Sequence, residues 1–153
     1  MKPLTVVLLT AAALGGCMSY PGDPTGPKPE FKASLSGANV APPTGSAGYG
    51  VMEARYVPTM QTLEWRIYFG QLSGPVTWAY LQGPDSVGND HADIVPINQP
   101  FEGNIQSGST TLTAAQASDL LAGKLSVELR TAQFPQGEIR GPLLPASYLV
   151  LLR

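Results

Sequence analysis

The sequence predicts an all-β protein: an antiparallel, Greek-key-like β-sandwich or barrel with one short helix near residues 114–121. Three observations point there. Apolar and polar residues alternate over short runs, as in strands with one face on a core and the other toward water. Turn formers are dense, with 17 glycines and 15 prolines in 153 residues, and they separate those runs at the spacing of a sandwich or barrel. Only one stretch carries both the start and the stop signal of a helix.

The chain opens Met1-Lys2, continues through an apolar run from Leu4 to Leu14 broken only by Thr5 and Thr10, and reaches Leu14-Gly15-Gly16-Cys17. A basic end, a short apolar segment and small residues before the cut suit a signal peptide, and the run is too short to span a bilayer as a helix. Leu14, Gly15 and Gly16 form a lipobox ahead of Cys17, the only cysteine. Residues 1–16 are therefore expected to be a lipoprotein signal peptide. Cys17 is expected to carry acyl chains such as palmitate, which anchor the protein to membrane lipid at about 0.8 kcal/mol per buried CH₂. The expected location is the bacterial cell envelope. Met18 stands where an aspartate would favour inner-membrane retention, which favours the outer membrane in a cell with two.

Residues 17–30 join this anchor to the domain. The segment Ser19–Glu30, SYPGDPTGPKPE, has too few apolar groups to offset its ordering entropy and reads as an extended linker. The domain is expected over 31–153. Phe31, Ala33 and Leu35 begin the first strand. Residues 49–57, 76–82, 92–97 and 137–143 are further strand candidates. Two runs alternate most clearly. Residues 62–69 place Leu63, Trp65, Ile67 and Phe69 on one face, and residues 125–131 place Leu125, Val127 and Leu129 inward. Gly103-Asn104 and Ser107-Gly108 read as turns. Thr113 and Gln116 have capping-box spacing before the helix formers 114–121, and Gly123 suits the left-handed end. The C-terminal SYLVLLR is a last strand or a covering segment, too short for a second anchor.

A formal net charge of −2 with no basic cluster argues against nucleic acid as a partner. With one cysteine there is no intramolecular disulfide. The single histidine, His91, lies in a loop with Asp85, Asp90 and Asp93 whose spacing does not match an EF-hand. No Gly-x-Ser-x-Gly elbow accompanies it. Glu128 and Glu138 are a conceivable carboxylate pair, but nothing in the pattern suggests a cleft between them. Glu138 and Arg140 flank Ile139 and are expected to point outward, in ion pairs with neighbours such as Arg130 or Glu128. Trp65 fits the core face of its strand, whereas Trp78 shares a face with Tyr80.

Four motifs in order resemble the CHRD domain, the module named after chordin. They are Phe31-Lys32-Ala33-Ser34-Leu35-Ser36-Gly37 with Val40-Ala41-Pro42-Pro43; Leu72-Ser73-Gly74-Pro75-Val76-Thr77; Thr111-Leu112-Thr113 with Asp119-Leu120-Leu121-Ala122-Gly123-Lys124; and Phe134-Pro135-Gln136-Gly137-Glu138-Ile139-Arg140-Gly141. The resemblance spans about residues 31–143. It implies an all-β, extracytoplasmic binding domain with no established enzymatic activity for most members. Members typically carry a His-x-His pair before the Gly-Pro turn and a third histidine before the Gly-Glu-Ile-Arg-Gly motif, an arrangement similar to copper-zinc superoxide dismutases.

In this chain those positions hold Tyr80, Gln82 and Arg130. A tyrosine, an amide and a permanent cation make a poor metal site, so neither metal nor cofactor is expected and a dismutase-like enzyme is the disfavoured alternative. Tyrosine and arginine are enriched at binding hot spots. Trp78, Tyr80, Gln82 and Arg130 are thus the expected contact surface for an envelope or extracellular macromolecule, bound without catalysis. A structural envelope component without a ligand is the remaining alternative.

Overall fold

The computed structural model describes residues 30–84, 91–97 and 101–147. The signal peptide, Cys17, nearly all of the linker, residues 85–90 of the His91 loop and the end of the C-terminal segment lie outside the described residues.

Nine strands and one helix follow in chain order: β1 (Phe31–Ser36), β2 (Tyr49–Val57), β3 (Thr62–Gly70), β4 (Val76–Gly83), β5 (Ala92–Pro96), β6 (Ile105–Thr111), α1 (Ala114–Leu121), β7 (Ser126–Thr131), β8 (Ile139–Pro142) and β9 (Leu144–Pro145). They form a nearly closed, barrel-like antiparallel sheet in the order β5-β4-β7-β8-β1-β2-β3-β6, with β9 also paired to β1. The chain leaves the β1-β2-β3 meander, crosses to lay β4 and β5 beyond β7, and returns to place β6 beside β3, which gives the predicted Greek-key character. β8 and β9 share one register against β1, with Ser36 opposite Arg140 and Lys32 opposite Leu144. The break falls at Leu143, whose N–H donates to Leu125 O of the β7 side instead (2.8 Å).

Alternation places the core as the sequence predicts. Leu63, Trp65, Ile67 and Phe69 of β3 and Leu125, Val127 and Leu129 of the β7 run all enter one cluster with Leu35, Met52, Leu81 and Ile139. Each such side chain contributes roughly 1.5–3 kcal/mol of burial. The helix falls on the predicted residues with a complete capping box. Thr113 Oγ1 accepts from the Gln116 N–H at 3.2 Å, and Gln116 Oε1 accepts from the Thr113 N–H at 2.9 Å. Gly123 takes φ +69° just beyond it.

Two expectations are corrected. Ser107-Gly108 is not a turn but the middle of β6, paired along Thr62–Tyr68 of β3. The glycine is there because a Cβ at 108 would stand 2.7 Å from the Trp65 indole; it lets the strand lie across a core tryptophan. Glu138 and Arg140, expected outward in an ion pair, are 0% and 8% exposed. Both do leave the Ile139 face, but that side of the sheet is covered at these positions.

Candidate functional site: a buried polar network beneath an aromatic patch

Register brings the sequence-predicted site residues together. β4 pairs with β7 so that Trp78 lies opposite Arg130, Tyr80 opposite Glu128 and Gln82 opposite Ser126. β5 places Asp93 opposite Gln82, and β8 places Arg140 opposite Glu128. Their strand neighbours Ala79, Leu81, Val127, Leu129 and Ile139 fill the core, so period two puts all of these polar residues on the other face.

The polar residues span four strands in two adjacent hydrogen-bonded groups. Arg130 is the hub of the first: its Nε donates to Glu128 Oε1 and its Nη2 to Asp93 Oδ1, each at 2.8 Å. Gln82 Nε2 donates to the same Asp93 oxygen at 2.9 Å. Arg140 donates to Ser126 Oγ through Nε (3.1 Å) and Nη2 (2.8 Å), and its Nη2 also contacts His91 Nδ1. The Arg130 guanidinium carbon stands 4.8 Å from the centroid of the Tyr80 ring. Trp78 stacks on Tyr80 with centroids 6.0 Å apart and ring planes at 18°.

The depth of these groups differs. Trp78 is 53% exposed, Tyr80 and Arg130 are half-buried, and Gln82, Ser126, Glu128 and Arg140 are buried. Gln82 therefore sits beneath the patch as a brace for Asp93, and its Oε1 has no hydrogen-bond partner. Burial pushes the Glu128 carboxyl above its ordinary range, against the opposing pull of the Arg130 hydrogen bond and the Arg130 and Arg140 charges. Burial lowers the Arg140 guanidinium, with Glu128 acting the other way. Arg130 loses something to burial but is raised on balance by Glu128 and Asp93.

Sequence reasoning found the aromatic and arginine members of this network. It missed Asp93, Ser126 and Arg140 as parts of the same assembly, because strand alternation gives each residue its face but not its neighbour. That β5 and β8 both flank the β4–β7 pair is knowledge of the register alone.

A second polar cluster lies beneath the β7–β8 turn. The Glu138 carboxylate accepts from Ser46 Oγ (2.7 Å), the Ser73 N–H (2.7 Å), Ser73 Oγ (2.7 Å) and Thr131 Oγ1 (2.5 Å). Burial alone would raise its pKa, but the hydrogen bonds from Thr131, Ser73 and Ser46 outweigh that and hold it below the ordinary carboxylate range. The hydrogen bonds come from loops far apart in sequence, which gives this site a fastening role. Near the start of β6 is a cleft of about 420 Å³ whose lining includes Phe69, Leu72, Val76, Phe101, Gln71 and Asn104. None of the polar network lines it. Among the described residues, no group of three or more His, Cys, Asp or Glu side chains is placed to hold a metal ion.

A barrel-like antiparallel sheet, two adjacent polar groups across four strands and a glycine-framed Glu-Ile-Arg strand define a small all-β domain whose chemistry lies on a sheet face. The chain belongs to the CHRD domain family, whose model matches residues 31–143. No curated protein and no solved structure matches it.

Proposed function

We propose that this chain is a membrane-anchored envelope lipoprotein whose CHRD domain binds another macromolecule, without catalysis, through Trp78, Tyr80 and Arg130. The observation that carries the reading is Trp78. A tryptophan 53% exposed on a sheet face leaves a large apolar ring in water unless a partner covers it. Here the ring is stacked on Tyr80, which Arg130 covers, and Arg130 is held by two carboxylates. Rigid aromatic and arginine groups of this kind lose little conformational freedom on binding.

The non-catalytic part of the reading has its own support. Glu128 and Asp93 are both hydrogen-bonded to Arg130, and His91 Nδ1 contacts Arg140, so these groups serve first to hold the two arginines. The envelope location rests on the lipobox before Cys17.

The test is photo-crosslinking in the native host, with a crosslinkable residue at position 78 and a control at 34, an exposed position on the outer face of β1. A discrete macromolecular adduct at 78 alone is expected. Adducts at neither position, with the protein expressed and membrane-bound, would overturn the binding role. Labelled palmitate should enter the wild-type chain and not Cys17→Ser.

A further inference from the structure

The point where the linker enters, the end of the described C-terminal residues and, among the described residues, the two most exposed large apolar side chains share one end of the sheet. The linker ends at Glu30, whose N–H donates to Ala54 O and whose carbonyl accepts from the Ala146 N–H. Ala146, near the end of the described residues, thus lies beside Glu30. From Ala54, β2 runs on to Val57 and turns through Pro58, Thr59 and Met60, all exposed, with Met60 at 68%. Gln61 O accepts from the Leu112 N–H at 2.8 Å, so α1 begins at this end too. It finishes where Gly123 approaches Leu144 and Pro145, partners of Lys32 and Phe31. The helix turns Ala117 and Leu120 inward and leaves Ala114, Ala115, Ser118, Leu121 and Ala122 outward without a charge among them; Leu121 is 60% exposed. Of the ionic groups near this end, Asp119 pairs with Lys124, Arg55 with Glu64 and Lys32 with Glu53, while Glu30 is exposed.

We infer that this end of the domain rests on the lipid surface to which the chain is tethered, with Met60 and Leu121 entering the boundary between headgroups and acyl chains. The inference builds on the anchoring of Cys17. Its occupant is fixed by that tether: the residues from Cys17 to Glu30 span at most about 50 Å when extended. They keep this end, with the uncharged outer face of α1, at high local concentration beside the bilayer, where weak apolar contacts suffice. Tyr80, Glu128, Arg140 and Ser36 lie in one lateral row on the side of the sheet, three residues from the end of β4 and two from the start of β7, and Trp78 stands five residues from Gly83, or about 16 Å along the strand.

The acylated full chain carries no free thiol, so Met60→Cys and Leu121→Cys accept an environment-sensitive fluorophore uniquely. In phospholipid vesicles both labels should shift to the blue and lose at least half their emission to brominated lipid, while labels at Ser34→Cys and Trp78→Cys should not respond. Solvent-like labels at 60 and 121 on protein that co-floats with the vesicles would overturn the docking and leave the anchor standing. Failure to co-float would overturn the anchor and the docking with it. A blue shift that appears without lipid and grows with protein concentration would assign this end to a second copy of the chain instead.

Discussion

Ser73 donates twice to Glu138 across 65 residues of sequence, from its N–H to Oε1 and from its hydroxyl to Oε2, both at 2.7 Å. The pair fastens the β3–β4 crossover to the start of β8. With Ser46 and Thr131 it satisfies a buried carboxylate entirely with neutral donors. Hydrogen bonds to an ionised acceptor contribute more than neutral ones, and removing an acceptor oxygen leaves some of these donors, buried Thr131 among them, to be satisfied elsewhere.

Glu138→Gln is therefore expected to destabilise the protein by about 2–4 kcal/mol, since an amide offers one acceptor oxygen where the carboxylate has two. Urea unfolding should show a lower midpoint with an unchanged slope, because the surface exposed on unfolding stays the same. A midpoint within error of wild type would remove the fastening role.

The two buried glutamates should respond to pH in opposite directions. The Glu138 pKa is lowered in the folded state, so its contribution is present above the ordinary carboxylate pKa and is lost as pH falls through the folded value. The Glu128 pKa is raised, so its charged form opposes folding at neutral pH, and stability returns as pH falls from its folded value toward the ordinary one. Stability measured across mildly to strongly acidic pH should lose its upper, stabilising limb in Glu128→Gln and its lower, destabilising limb in Glu138→Gln.

Much of the fold was legible because local signals and burial agree. The alternation of Leu63, Trp65, Ile67 and Phe69 specifies β3, and Thr113 with Gln116 specifies the start of α1. The sequence misled where a residue's role depends on something distant. Gly108 has the composition of a turn but is required by the ring of Trp65. Glu138 looks like an outward strand residue until the loops bearing Ser46 and Ser73 cover it. At the candidate site, residue types and spacing identify Trp78, Tyr80 and Arg130, whereas the roles of Asp93 and Arg140 come from strand order.

Glycines frame the Glu-Ile-Arg strand for steric reasons that differ in severity. A Cβ at Gly141 would lie 2.1 Å from Ser34 O, a backbone atom that cannot move aside. At Gly137 the φ is +129° and a Cβ would meet the Glu128 carboxyl at 2.8 Å. Gly141→Ala is expected to cost more than about 3 kcal/mol, by forcing β8 away from β1. Gly137→Ala should strain the turn and disturb Glu128 with a smaller loss. Thermal unfolding of the two variants side by side should place Gly141→Ala lower.

The sharpest test of the network separates Arg130 from Glu128. Arg130→Met alone leaves Glu128, 4% exposed, as a buried charge without its hydrogen-bonded cation and uncovers Tyr80. The expected cost is about 3–5 kcal/mol, characteristic of breaking a buried pair from one side. Adding Glu128→Gln removes the stranded charge, so the double variant should recover most of that loss, and a double-mutant cycle should give a coupling of at least about 1.5 kcal/mol. Acidification should rescue Arg130→Met but not the double variant, because protonating Glu128 has the same effect as the substitution. If the double variant is as unstable as the sum of the two single ones, Arg130 stabilises the domain through Asp93 and Tyr80 rather than through Glu128. The stacked patch would then be held from the β5 side.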